Sequence, residues 1–121
     1  MQENAQTEEN TPVEENLLTF ADLGLNKDLL RSVQQAGFVT PSPIQAAAIP
    51  LVLQGRDIVG QAHTGTGKTA AFGLPALNNI DVRSGVEILV ITPTRELATQ
   101  VSDELFKYGR NINARTVTVY G

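Results

Sequence analysis

Ala62-His63-Thr64-Gly65-Thr66-Gly67-Lys68-Thr69 joins a short apolar run to a helix-forming one. The run before it, Asp57-Ile58-Val59-Gly60-Gln61, reads as a buried strand, and the run after it, from about Lys68 to Leu77, reads as a helix. In that setting Gly65 and Gly67 let backbone N–H groups converge on phosphate oxygens, and the helix start adds its positive end. Lys68 is placed to reach β and γ phosphates, and the Thr69 hydroxyl to ligate a bridging Mg2+. The strict pattern G-x-x-x-x-G-K-[ST] asks for glycine where Ala62 stands. His63 reads as a loop side chain and not a catalyst, because phosphoryl transfer rests on positioning and electrostatics.

On either side of this loop the pattern alternates helices and strands. Leu17, Leu18, Phe20, Leu23 and Leu25 open the globular segment. A first helix starts at Asn26 as N-cap, carries Leu29, Leu30, Val33 and Ala36 on one face and stops at Gly37. A second starts at Ser42, with Pro43 in its first position and Gln45 completing an S-x-x-Q capping box; Pro50 is expected to shorten or kink it before Gly55 ends it. Glu87 to Thr92, EILVIT, reads as a strand buried on both faces. Thr94 caps a long helix with Leu97, Val101 and Leu105 in register and Gly109 near its end. Arg115 to Tyr120 alternates threonine with valine and reads as another strand. This order describes an α/β domain, a parallel β-sheet flanked by helices.

Residues 1–16 carry five Glu and no Lys or Arg, and read as a disordered acidic leader, too poor in apolar side chains to offset the entropy of ordering. The formal charge of −4 therefore belongs to the leader: residues 17–121 hold eight acidic and nine basic side chains, which permits a nucleic-acid partner. With no cysteine and one histidine, disulfide frameworks and thiolate or imidazole metal clusters are excluded. No apolar stretch approaches the roughly 18 residues of a membrane span, and Met1-Gln2-Glu3-Asn4 lacks the basic start of a signal peptide. The expectation is a soluble cytoplasmic protein with no membrane partner.

Three segments together resemble one family. Gly37-Phe38-Val39-Thr40-Pro41-Ser42-Pro43-Ile44-Gln45 is similar to the Q motif of DEAD-box RNA helicases, with Phe20 standing seventeen residues before Gly37, where that family places an isolated aromatic. The loop AHTGTGKT resembles the A-x-T-G-x-G-K-T form those helicases use, which accounts for Ala62. Pro93-Thr94-Arg95-Glu96-Leu97-Ala98 is identical to their PTRELA signature, motif Ia. The resemblance runs from about Leu18 to Gly121 and implies the N-terminal portion, residues 17–121, of a P-loop RecA-like ATP-binding domain of superfamily 2, truncated.

The resemblance assigns ATP and Mg2+ to the loop, with Ala62, His63, Thr64, Gly65, Thr66, Gly67, Lys68 and Thr69 as binding residues. Lys68 and Thr69 are its catalytic members and Thr69 the metal ligand. It implies that Gln45 reads adenine through its amide, that Phe38 stacks on the base, that the backbone near Thr40 adds hydrogen bonds and that Phe20 supports the region. ATP is then preferred to GTP. Completion of the capping box by Gln45 is the simpler reading, and both roles can coexist. Pro93, Thr94 and Arg95 are implied to contact RNA sugar-phosphate without reading bases; N-capping by Thr94 and a surface salt bridge by Arg95 are the alternatives. No Asp-Glu-Ala-Asp sequence occurs. The chain is accordingly expected to bind ATP without turning it over, as an N-terminal fragment of an ATP-dependent RNA helicase that unwinds or remodels duplexes. The alternative is an inert nucleotide- or RNA-binding module. An incomplete sheet with an open edge predicts a marginal fold in isolation.

Overall fold

The computed structural model describes residues 18–63, 65 and 67–119; the acidic leader, Leu17, Thr64, Thr66, Tyr120 and Gly121 lie outside the described residues. A 3-10 turn, Phe20–Leu23, opens the fold. It is held by a capping box in which Asp22 N–H donates to the Thr19 hydroxyl while Thr19 N–H donates to the Asp22 carboxylate at 2.8 Å. Helix α1 (Lys27–Gln35) follows, its N-cap Asn26 accepting from Leu29 N–H at 3.0 Å. The end of α1 is a Schellman motif: Gly37 takes φ +83°, its N–H donates to the Gln34 carbonyl, and Phe38 N–H donates to the Val33 carbonyl. That turn aims Phe38 back toward Phe20, with which it stacks at 6.0 Å between ring centroids.

Helix α2 (Pro43–Leu53) begins with the expected capping box between Ser42 and Gln45 and with Pro43 at its start. Pro50 does not shorten it, since a proline costs one ladder bond and three further residues still close the last turn. A second Schellman motif ends it at Gly55, where Gly55 N–H and Arg56 N–H donate to the Val52 and Leu51 carbonyls. Helix α3 (Lys68–Asn78) and helix α4 (Arg95–Gly109) complete the set, the latter capped by the Thr94 hydroxyl, which accepts from Leu97 N–H at 3.1 Å. A 3-10 turn, Arg110–Ile112, closes α4.

Helix α3 lies between α2 and α4, and α1 packs across α4. Their shared core contains Leu29, Val33, Ile49, Leu74, Leu77, Val101, Leu105 and Tyr108 with Phe20, Leu23 and Leu25 of the opening segment. Each such aliphatic or aromatic side chain contributes about 1.5–3 kcal/mol when fully buried. Gly73 permits the close approach of α3 and α4: a Cβ there would lie 2.6 Å from Leu105 Cδ2. Two longer-range polar links fix the helices. Asn26 N–H donates to Asn78 Oδ1 at 2.7 Å, tying the start of α1 to the end of α3. The buried Ser32 hydroxyl donates to the Tyr108 carbonyl at 2.7 Å and accepts from the Asn111 amide at 3.0 Å, tying α1 to the end of α4.

The described residues contain no strand, and 57–61, 87–92 and 115–119 run as irregular chain, so the sheet expected from the sequence is not seen among them. An apolar run specifies which faces need cover, whereas a strand also needs a neighbour's N–H and C=O groups at ladder distance. The side chains nevertheless keep a period of two. Ile88 packs on the core while Leu89 and Ile91 face outward, and Thr116 and Thr118 are half-buried between outward Val117 and Val119. Leu89, Ile91, Val117, Val119 and Val59 are each more than four-fifths exposed. The described core is therefore helical, and these segments present an uncovered apolar side.

Candidate nucleotide-binding site

The phosphate-loop candidate opens from the end of segment 57–61. Gly65 and Gly67 take φ +88° and +81°, the left-handed region that glycine enters without steric cost. Gly67 is the N-cap of α3 and supplies no side-chain cap, so the N–H groups of the first turn of α3 are left for an external acceptor. Lys68 is exposed and, with Gly60, Gln61, Ala62 and His63, lines an open cleft of about 610 Å³. Thr69 is half-buried one residue further along. Gly60 and Gln61 were not among the residues singled out from sequence. Their signal is position, since in open α/β folds ligands dock at the ends of such segments.

Gln45 comes to this loop from α2. Its side chain is 3% exposed; Oε1 accepts from Ser42 N–H at 2.9 Å, and Nε2 donates to the Gly67 carbonyl at 3.2 Å. The capping box is thus formed, and the same amide touches the loop. Phe38 is half-buried, stacked on Phe20 and tilted against Tyr108 at 6.1 Å, which leaves only its remaining surface for a base. Phe20 is buried beneath it and Thr40 is exposed beside it. Burial pushes the Tyr108 hydroxyl well above its usual pKa, and the neighbouring Glu104 charge and hydrogen bond add to the shift. Thr64 and Thr66 lie outside the described residues.

Pro93, Thr94 and Arg95 are exposed at the start of α4. The Thr94 hydroxyl caps the helix, so the capping alternative holds for it. Gly73 meets Leu105 and Leu77 meets Gly109, an order that advances together along both chains, so α3 and α4 run parallel. Both helix starts therefore point to the same end of the molecule. With a rise of about 1.5 Å per residue, the start of α4 projects roughly 7 Å beyond that of α3. Loop and PTRELA segment are brought to one end by this packing, with two helix N-termini side by side. Among the described residues no three His, Cys, Asp or Glu side chains gather in a way that could hold a metal ion. No described helix is long and apolar enough to cross a membrane.

The family profile described as DEAD/DEAH box helicase matches residues 42–121, which include Gln45, the loop and PTRELA. The chain belongs to the DEAD/DEAH box helicase family. It is 61% identical over 103 residues to the DEAD-box ATP-dependent RNA helicase RhpA of Helicobacter pylori, a match covering 85% of this chain and 21% of that protein. The chain thus spans about a fifth of the length of the curated relatives it matches. Among solved structures, a DEAD box protein from Methanococcus jannaschii superposes with TM-score 0.72 at 41% identity, covering 75% of this chain and 25% of that one. Dbp5 of S. cerevisiae bound to RNA and ADP BeF3 gives TM-score 0.71 at 35% identity, covering 77% and 25%. The described helices thus occupy the DEAD-box domain framework even though, among the described residues, no ladder joins the segments between them.

Proposed function

We propose that this chain is the N-terminal portion of the first RecA-like domain of an ATP-dependent RNA helicase, and that it grips ATP without hydrolysing it by itself. The observation that carries the reading is the uncapped start of α3 behind left-handed Gly65 and Gly67, with Lys68 on the wall of the adjoining cleft. N–H groups, a helix dipole and a lysine there suit a polyphosphate. The Thr69 hydroxyl would hold Mg2+, which when bound would offset charge on the polyphosphate. Ala62, His63, Thr64 and Thr66 complete the loop, and Gln45, Phe38, Thr40 and Phe20 form its adenine side. Pro93, Thr94 and Arg95, at the same end of the fold, are assigned to RNA sugar-phosphate, and base-independent contact follows from that chemistry. Relatives named as ATP-dependent RNA helicases, and a neighbour bound to RNA and ADP BeF3, support these assignments.

Segments 57–61, 87–92 and 115–120 are assigned as strands of a parallel sheet, on the strength of their apolar content and the period-two exposure of the latter two. Residues 1–16 are assigned as an acidic leader preceding the 17–121 domain, and the protein as cytoplasmic. The test is nucleotide binding by the 121-residue chain and hydrolysis with and without RNA. ATP binding that Lys68→Ala removes, with no RNA-stimulated hydrolysis, is expected. Hydrolysis by the chain that Lys68→Ala abolishes would overturn the second half, and ATP binding indifferent to Lys68→Ala the first.

A further inference from the structure

At the end of α4 away from the glycine-rich loop, the chain turns back on itself. Asn113 takes φ +61°, a left-handed conformation that asparagine tolerates, and Ala114 N–H donates to the Gly109 carbonyl at 3.0 Å. The returning segment is laid along α4, where the Ser102 hydroxyl donates to the Thr116 hydroxyl at 3.4 Å. Arg115 is thereby brought beside Arg110 and Phe106, and these three line an open cleft of about 350 Å³ with Asn113 and Ala114. Phe106 is 53% exposed, an aromatic ring left open to solvent, and both arginines are exposed. Among the described residues neither arginine forms an ion pair. Lys107 adds a third cation, and no Asp or Glu occurs from Leu105 to Gly121. Of the acids just before, Asp103 stands one turn ahead of Lys107 on α4, and the Glu104 carboxylate accepts from the Tyr108 hydroxyl at 3.1 Å.

Two guanidinium groups beside an open ring suit a segment that carries paired carboxylates and a little apolar surface. The chain itself contains one. Residues 1–16 hold Glu3 and the pairs Glu8-Glu9 and Glu14-Glu15, with Pro12 and Val13 between the pairs and no Lys or Arg. They lead into the fold near the same end of α4, because Phe20 stacks on Phe38 at 6.0 Å and Phe38 meets Tyr108 at 6.1 Å. At about 3.3 Å per extended residue, Glu8 and Glu9 reach roughly 30 Å from Leu18, enough to pass those rings and the roughly 10–12 Å width of α4. Exposed ion pairs are individually weak, and a tether offsets this by keeping the carboxylates at high effective concentration. We propose that the acidic leader docks on the cleft of Phe106, Arg110 and Arg115, with the Glu8-Glu9 pair on the two guanidinium groups and Pro12-Val13 against the ring. The docked leader closes this end of α4 to other polyanions, nucleic acid included.

The chain has no cysteine, so a Gln6→Cys variant of the full chain takes a single nitroxide label close to the Glu8-Glu9 pair. Its paramagnetic broadening is read on the backbone amide resonances. The amides of Phe106, Arg110, Asn113 and Arg115 are expected to lose most of their intensity, while those of the exposed Lys68 and Arg95, at the opposite end of the helices, keep theirs. Glu8→Gln with Glu9→Gln, or Arg110→Gln with Arg115→Gln, should restore the lost intensity to the level seen at Lys68. About 1 M salt, where the Debye length is about 3 Å, should do the same. Salt acts on the labelled chain with its charges intact, so this arm holds even if a charge-removing pair unfolds the protein. Broadening at Phe106 that survives salt overturns the proposal, since these charges would not hold the leader. Broadening at Lys68 and Arg95 in place of Phe106 overturns it and puts the leader at the other end. Equal broadening at every exposed cation overturns it in favour of a leader with no fixed seat. Single-stranded oligouridylate, added to the unlabelled chain, is expected to shift the Arg110 and Arg115 amides only once Glu8 and Glu9 are replaced by glutamine. A shift in wild type overturns the proposal, because the cleft would then be a nucleic-acid site.

Discussion

Substituting alanine for Gly67 separates two costs that usually arrive together. Gly37, Gly55 and Gly67 share nearly the same backbone, φ +83°, +83° and +81°. A Cβ built on Gly37 or Gly55 meets no heavy atom within 4 Å, whereas one on Gly67 collides with the Gln45 amide. All three alanine variants therefore carry the left-handed penalty of about 1–2 kcal/mol. Only Gly67→Ala also displaces a buried side chain, breaking the bond to the Gly67 carbonyl and leaving an amide donor unsatisfied, a further cost of about 1–3 kcal/mol. At roughly 4 °C per kcal/mol for a chain of this size, Gly55→Ala should lower Tm by about 4–8 °C and Gly67→Ala by a further 4 °C or more. Thermal denaturation followed by far-UV circular dichroism measures both. Gly55→Ala is also expected to keep tripolyphosphate binding while Gly67→Ala loses it. A Gly67→Ala variant no less stable than Gly55→Ala, with binding retained, would refute the claim that Gln45 fills the space beside the loop.

Ser32→Ala should destabilise the chain by about 1–3 kcal/mol, because it removes the buried donor to the Tyr108 carbonyl and leaves the Asn111 amide only its bond to Gln35; a urea midpoint equal to wild type would show that water replaces the hydroxyl. The Asp22 carboxylate is held below its usual 3.8 by the Thr19 backbone N–H and then the Thr19 hydroxyl. A depressed folded pKa means its stabilisation is present above about pH 4 and lost as the pH falls through the folded value, so the gap between wild type and Asp22→Asn in urea melts should close on acidification. A gap that does not narrow at all as the pH is taken down from 3.8 contradicts this. Arg95→Ala should weaken binding of single-stranded RNA equally for unrelated sequences and lower the salt dependence by about one counterion; a sequence-dependent loss would assign Arg95 to base contact.

Local chemistry made much of this protein legible before any coordinates. Asn26, Ser42 and Thr94 each satisfy an N–H three residues ahead, within reach of their own side chain, and Gly37 and Gly55 end helices because a left-handed residue is needed at that one position. The loop before α3 was equally plain, since Gly65, Gly67, Lys68 and Thr69 fall within five consecutive positions. Strands were harder to foresee. EILVIT states that a segment is apolar, but its ladder depends on partner segments the run cannot specify, and among the described residues none pairs with it.

The contacts that organise the site are those between residues distant in the chain. Gln45 reaches Gly67, Asn26 reaches Asn78, Ser32 reaches Tyr108, and Phe38 rests against Tyr108. No capping rule or periodicity announces them, because each depends on how two helices dock, and docking is set by the shapes of whole faces such as the Gly73 notch that admits Leu105. The sequence by itself determined where the helices begin and end and that a glycine-rich loop ending in Lys68 and Thr69 leads into α3. Only the tertiary structure decided that the buried amide of Gln45 reaches the Gly67 carbonyl and that PTRELA opens toward the same end, since both follow from packing and not from spacing along the chain.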